Sequence, residues 1–383
     1  METFRITDYG VETESEKIQT EAIQRVIELC KNVGGGEIII PKGNYLVGSL
    51  RLYSHMTLHL LDGACLLGSK NKKDYTDFHV PSTLGYLNDE YYIRSWNLPP
   101  YYIYGIFCAF GEEEISIIAE KGAVIDGQDC FDEDGEEGFR GPMGMIFSQC
   151  KRILLEGYTF QNSANWSHQL DSCEDVEIRN VIIRAGHDGF NVLHCSRVKI
   201  SDCRIESGDD CFAGYDVRDL CVSSCYVNTA CNSLRLGGTK IRFENCVFEG
   251  PGHYLHLSEK TYYTHSIFKY YSIRSDVILQ DAGDITFSNC SIHGANCLLS
   301  YQFRKAGLHQ DNRPLRSLTF EHVRISGILQ TSYFRGNGQS CKLIFRDCKI
   351  QFDGEKVPFL SIDESIELVI ERTTCENVRI ERR

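Results

Sequence analysis

From residue 175 onward the chain repeats one short pattern in which apolar and polar positions alternate. The runs are "DVEIRNV" (175–181), "RVKISDC" (197–203), "LCVSSC" (220–225), "KIRFENC" (240–246), "DITFSNC" (284–290), "SLTFEHV" (317–323) and "KLIFRDC" (342–348). One apolar position in each keeps time: Ile178, Ile200, Val222, Phe243, Phe287, Phe320 and Phe345, at intervals of 22, 22, 21, 44, 33 and 25 residues. Leu155 lies 23 residues before Ile178, and Ile370 continues the series. The 44-residue interval reads as two coils, one of them degenerate around Ser266–Tyr271. Alternation with a period of two makes each run a strand, because successive side chains of an extended backbone point to opposite faces. A repeat near 22 residues is too short for a strand plus a helix, so the pattern predicts the stacked coils of a parallel β-helix. Cys203, Cys225, Cys246, Cys290 and Cys348 share one register and are expected to form an inward ladder of packed thiols.

The end of such a stack exposes unpaired strand edges and must be covered. "EKIQTEAIQRVIELCKNVGGG" supplies a capping helix, with Ile18, Ala22, Ile23, Val26 and Ile27 as its apolar stripe and Gly34–Gly36 ending it. Two stretches break the rhythm. Residues 78–110, crowded with tyrosines, read as a long insertion loop over one face, and 131–141 ("FDEDGEEGFRG") as an acidic loop. The tyrosines at 91, 92, 101, 102 and 104 either stack on sugar rings or pack the insertion against the coils.

Composition narrows the function classes. A net charge of −13 argues against nucleic acid or an anionic membrane as the main partner, while leaving room for a local basic pocket. The N-terminus "METFRITDYG" has neither a basic nor an apolar leader region, and no stretch reads as a membrane span. Eighteen cysteines without any Cys-x-x-Cys pair fit a reduced interior better than disulfides or structural zinc, so the expected location is cytoplasmic.

On the 22-residue clock, Asp188, Asp210 and Asn232 fall in one column, and His187, Asp209 and Cys231 in the column beside it. The acids of "GHDG" and "SGDD" thus lie on one edge of adjacent coils. Carboxylates stacked about 5 Å apart repel, so one keeps its proton near neutral pH, which acid–base catalysis needs and a structural turn does not. Inverting sugar hydrolysis uses one carboxylic acid and one carboxylate about 6.5–9.5 Å apart, with water between. The competing readings are an Asp- and Gly-rich surface turn and a calcium site serving β-elimination.

Several segments resemble glycoside hydrolase family 28, the polygalacturonase family. They are "ITDYGVETESEKIQTEAIQRVIELC" with "GGGEIIIPKGNYLVGSL", "VIDGQ" (124–128), Arg140 with "GPMGMIFSQC", "NSANWSHQLDSCEDVEI" with Trp166 and His168, and above all "SGDDCFAG" (207–214). The resemblance implies an inverting hydrolase of galacturonate-containing pectins, with Asp209 on the general acid and Asp188 and Asp210 on the residues that activate water. Two departures stand out. The family's Asn-Thr-Asp is Gly186-His187-Asp188 here, and its Gly-His-Gly is Ala230-Cys231-Asn232, without the histidine. No match to its Arg-Ile-Lys element is found, which leaves Arg235, His253, His256 and Lys260 as candidates for gripping a uronate. His187 is read as steering Asp209, contacting a sugar or capping a turn; Trp166 and His168 read equally as ligand contacts or as core or supporting residues, and with Asn232 they complete the candidate binding set.

The combined expectation is an all-β, right-handed parallel β-helix forming one domain over 1–383, with an N-terminal capping helix. It acts as an inverting and exo-acting glycoside hydrolase on galacturonan- or rhamnogalacturonan-type oligosaccharides, with no metal and no cofactor. The alternatives are a non-catalytic carbohydrate-binding β-helix and a polysaccharide lyase. Oligomeric state stays open.

Overall fold

The computed structural model describes residues 2–96, 98, 104–305 and 309–383, in two compact units, Met1–Asn191 and Val192–Arg383. Each is built as parallel β-helix, and the fold is the right-handed parallel β-helix expected. In the first unit one face stacks Thr3–Arg5, Gly36–Ile40, Met56–Leu60, Glu113–Ala119, Lys151–Glu156 and Glu174–Arg179. A second face stacks Leu50–Arg51, Gly105–Phe110, Met143–Ser148 and His168–Asp171, and a third runs from Gly43–Val47 to Ile182–Ala185. The second unit repeats the plan through the long strands Phe212–Ser223 and Asn232–Glu244, each of which serves two faces.

The clock residues sit in register. Ile200 pairs with Val222, Val222 with Phe243, Phe287 with Phe320, Phe320 with Phe345 and Phe345 with Ile370. Their rings stack: Phe243–Phe287, Phe287–Phe320 and Phe320–Phe345 centroids are 5.2, 4.8 and 5.1 Å apart. One expectation is corrected. Phe243 pairs directly with Phe287, so the 44-residue interval is one long coil, and Ser266–Tyr270 is its second-face strand instead of a degenerate coil.

Turn chemistry explains the thiol ladder. Asp202, Ser224, Asn245, Asn289 and Asp347 all adopt positive φ, which the short side chains of Asn and Asp tolerate best. Each bend aims the next residue inward, and Cys203, Cys225, Cys246, Cys290 and Cys348 are all buried. Each thiol donates to the carbonyl two residues earlier at 3.1–3.4 Å. None of the eighteen cysteines forms a disulfide.

The cap is the helix Thr20–Asn32, which buries Ile23, Val26, Ile27 and Cys30; Ile18 precedes it and is exposed, so it lies outside the apolar stripe. The tyrosine-rich insertion is also more ordered than a loop. It contains the helix Glu90–Trp96, and its last residues, Gly105–Phe110, are already strand. Val80 packs with Cys108, Met143 and Ile146, and Ser82 and Thr83 bond the Asp171 carboxylate. Tyr92 is buried against Tyr86 and Tyr104 beside Tyr75, Tyr91 is exposed, and Tyr101 and Tyr102 lie outside the described residues. The acidic loop holds a short 3-10 turn, Glu136–Gly138; Asp132 inside it is buried and ion-paired with Lys72 at 2.5 Å. Among the described residues no helix is long and apolar enough to cross a membrane.

Candidate active site

In the second unit the strand Arg204–Ser207 ends in the turn Gly208–Cys211, and the next strand starts at Phe212. Ser207 Oγ donates to the Asp209 carbonyl at 2.6 Å, and the hydroxyl of Thr229 in the following coil donates to the same oxygen. These bonds fix the turn and split its two acids. Asp210 turns fully inward, while the Asp209 side chain stays 15% exposed.

Asp210 is held by the coil beyond. Asn232 sends both its backbone N–H (3.3 Å) and its side-chain amide (2.7 Å) to Oδ1, and Arg235 Nη1 lies 3.4 Å from Oδ2. Asn232 is itself oriented by Ser266 Oγ, which donates to its Oδ1 at 2.7 Å. Burial and the adjacent Asp209 charge push the Asp210 carboxyl upward against Arg235, Asn232 and Lys269. The donors converging on both Asp210 oxygens nevertheless suit a carboxylate, so a proton shared by the pair falls to the more open Asp209.

Asp209 faces a different set. Its Oδ1 accepts the Asp210 backbone N–H at 2.9 Å, and His256 Nε2 stands 3.7 Å from the same oxygen. Cys231 lies beside them; burial, then Asp210 and Asp209, push its thiol well above the usual range, so it is a neutral S–H. Asp209, Cys231 and His256 offer atoms within 4.8 Å of one another, a spacing open to a metal ion. The Glu259 N–H donates to His256 Nδ1 at 3.0 Å, which keeps the ring proton on Nε2, the atom facing Asp209, an arrangement for donating a hydrogen bond and a poor one for ligating a metal.

Cations gather beside Asp210. Arg235 and Lys269 are register partners on adjacent strands, and the Arg235 guanidinium lies over the Tyr271 ring at 4.3 Å. Burial, together with Arg235 and Lys269, drives His309 down to about 3, so it faces this pair uncharged. Lys269 makes no ion pair among the described residues. Reading the sequence missed it because its strand was taken for a degenerate coil; the inward Phe268 and Tyr270 on either side were the available signal.

The first unit holds the remaining candidates. Asp188 is buried and accepts from Asn191 Nδ2 at 3.1 Å. His187 is buried with its ring stacked on Phe139 at 5.6 Å, an arrangement for packing more than for sugar contact. Two expected binding residues of this unit are corrected. His168 is fully buried, bonded to the Tyr158 hydroxyl at 2.9 Å and lowered by burial to about 3, so it is a core residue. Trp166 packs on the cluster under the insertion. In the second unit Asn232 serves Asp210, and His253 is tied to Glu206 at 2.8 Å. Lys260 is exposed on the turn of the hairpin closed by the His256–Thr261 bridge.

Residues 105–253 match the family model described as glycosyl hydrolases family 28. That stretch of the chain is similar to the family. The chain is 28% identical over 220 residues to a probable polygalacturonase of Vitis vinifera, covering 54% of this chain and 43% of that protein. It is 46% identical over 72 residues to an exo-poly-alpha-D-galacturonosidase of Dickeya chrysanthemi, covering 19% and 12%. These alignments span less than half the length of either relative. The family 28 exopolygalacturonase of Yersinia enterocolitica superposes with a TM-score of 0.70 at 17% identity, covering 100% of this chain and 79% of that one. That likeness establishes the β-helix. The "SGDD" turn lies inside the matched stretch, which makes it the place to look for chemistry.

Proposed function

We propose that the protein is an inverting, exo-acting glycoside hydrolase of pectin-derived oligosaccharides. The observation that carries this is the unequal environment of two adjacent carboxylates: Asp210 sealed among Asn232 and Arg235, Asp209 open beside neutral donors. Such a pair separates an acid from a base within one turn. Asp209 gives its proton to the glycosidic oxygen. Water held by Asp210, and by Asp188 from the turn 22 residues earlier, attacks the anomeric carbon from the opposite face. The regular spacing of the turns supports including Asp188. Arg235 and Lys269 supply positive charge beside Asp210 in a chain of net charge −13, which suits the carboxylate of a uronic acid. Exo action follows the names of the Dickeya and Yersinia relatives. Thiols without disulfides suit a reducing compartment, and a cytoplasmic enzyme would meet short oligosaccharides.

The test is product analysis of galacturonan, rhamnogalacturonan and neutral-sugar oligosaccharides, with and without chelator, using the wild type and D209N. Monomeric uronate released with inverted configuration, insensitive to chelator and lowered about 10²–10⁴-fold in D209N, is the expected result. An unsaturated product lost on calcium removal would make it a lyase, and binding without product a carbohydrate-binding β-helix. Wild-type turnover in D209N would remove Asp209 from the chemistry.

A further inference from the structure

We infer that His256, carried on a hairpin outside the acidic turn, is the residue that positions Asp209 as proton donor. This rests on the hydrolase reading above. The hairpin spans 253–265 and is fastened at both ends to the coil below it. At its start Asn228 accepts the His253 N–H at 2.7 Å and donates its amide to the Glu249 and Pro251 carbonyls at 2.8 Å each. At its end Thr264 Oγ1 donates to the Thr229 carbonyl at 2.6 Å, and the His265 N–H donates to the Cys231 carbonyl at 2.6 Å. Between them the His256 N–H donates to the Thr261 carbonyl at 2.9 Å. His256 is therefore delivered by a preorganised element, and Thr229 belongs both to its anchor and to the turn that holds Asp209.

The ring has one orientation that works. The Glu259 backbone N–H donates to Nδ1, so Nδ1 is an acceptor and the ring proton sits on Nε2, 3.7 Å from Asp209 Oδ1. Asp209 and Glu259 draw the imidazole toward its charged form against the burial that opposes it, but a second proton would put an N–H against that amide. A neutral Nε2–H beside the acid is compatible with both states of the carboxyl group. Before reaction the acidic proton occupies the other oxygen. During reaction that proton passes to the leaving oxygen as its bond to the anomeric carbon breaks. Water's oxygen forms the new bond, and its proton goes to the opposing carboxylate. Asp209 is left as a carboxylate, and the 3.7 Å gap closes to a hydrogen bond that strengthens as this charge develops.

Several charged and titratable groups face the Asp209–Asp210 pair. Asp210 shares its turn and Cys231 faces it from the next coil as a neutral thiol. His256 approaches from the hairpin with Glu259 behind it; the Glu259 carboxylate is engaged by His265 at 3.1 Å. Arg235 and Lys269 act on the Asp210 side, and Asp188 is the proposed third acid.

The experiment compares H256L and H256Q with the wild type on oligogalacturonides across pH, alongside thermal midpoints. Loss of a donor to a charged acceptor predicts that kcat of H256L falls about 10–100-fold with KM within about twofold, and that the alkaline limb moves up by about one pH unit. H256Q, whose amide reaches the place of Nε2, restores part of both. An H256L enzyme with unchanged kcat and limb overturns the inference, as does equal impairment of both variants with equally lowered thermal midpoints. D209N separates the two levels: activity there defeats the acid assignment itself, whereas an inactive D209N with a wild-type H256L profile defeats only the role of His256.

Discussion

The most decisive stability experiment concerns a buried charge away from the proposed chemistry. His194 lies between two carboxylates, Nδ1 at 3.2 Å from Asp216 and Nε2 at 3.2 Å from Asp276. Both ring nitrogens face acceptors, so the ring is held as imidazolium. Burial opposes the charge, but Asp216 and Asp276 outweigh it and push the pKa up to about 9, from 6.5. The carboxylates are committed elsewhere as well: Asp276 accepts from the Val277 N–H and the Tyr215 hydroxyl, Asp216 from the Leu279 N–H. The cluster therefore pins a segment whose Val277 and Leu279 side chains are exposed. A raised folded-state pKa contributes stability that is complete below the unfolded value and disappears as pH rises through the folded one. Over this shift it amounts to about 3 kcal/mol below pH 6.5, about 2.5 kcal/mol at pH 7 and almost nothing above pH 10. The assay is urea unfolding of the wild type and H194Q from pH 6 to 10, with hydrogen exchange at the Val277 and Leu279 amides corrected for intrinsic rates. The wild-type advantage over H194Q should shrink by about 3 kcal/mol across that range, and the two amides should open together. Parallel pH curves for the two proteins would refute the charged-histidine argument.

Two further outcomes follow from the geometry. K269M should reduce kcat/KM on uronate substrates about 10–100-fold with little effect on neutral ones, since a charge-assisted hydrogen bond to a carboxylate contributes about 1.5–3 kcal/mol; equal loss on both substrate types would place Lys269 outside recognition. F287A removes the ring stacked between Phe243 and Phe320 and should cost about 3–5 kcal/mol in denaturant unfolding. A cost under about 1 kcal/mol would show that the coils close over the gap.

The limits of what the sequence made legible follow from which contacts repeat. Period reports stacking, so every clock residue from Ile200 to Phe345 was placed by arithmetic, and the 22-residue offset from Phe212 to Leu234 carried Asp210 onto Asn232. The same arithmetic failed at the 44-residue coil, where the extra length is the 253–265 hairpin that brings His256 to Asp209. Nothing in the period encodes where an excursion folds back; that depends on single bonds from Asn228 and Thr229. Alternation failed for a different reason. A strand with one wet face alternates, but the insertion covers the outer face of Met143–Ser148 and His168–Asp171, so every residue in both is buried. His168 points the other way, into the core against Tyr158, Phe160 and Phe190, so a polar residue that matched a family segment is a core residue. A chemical group on a repeat can thus be assigned from spacing when its neighbours also repeat. Groups supplied by excursions, here the His256 hairpin, become visible only in three dimensions.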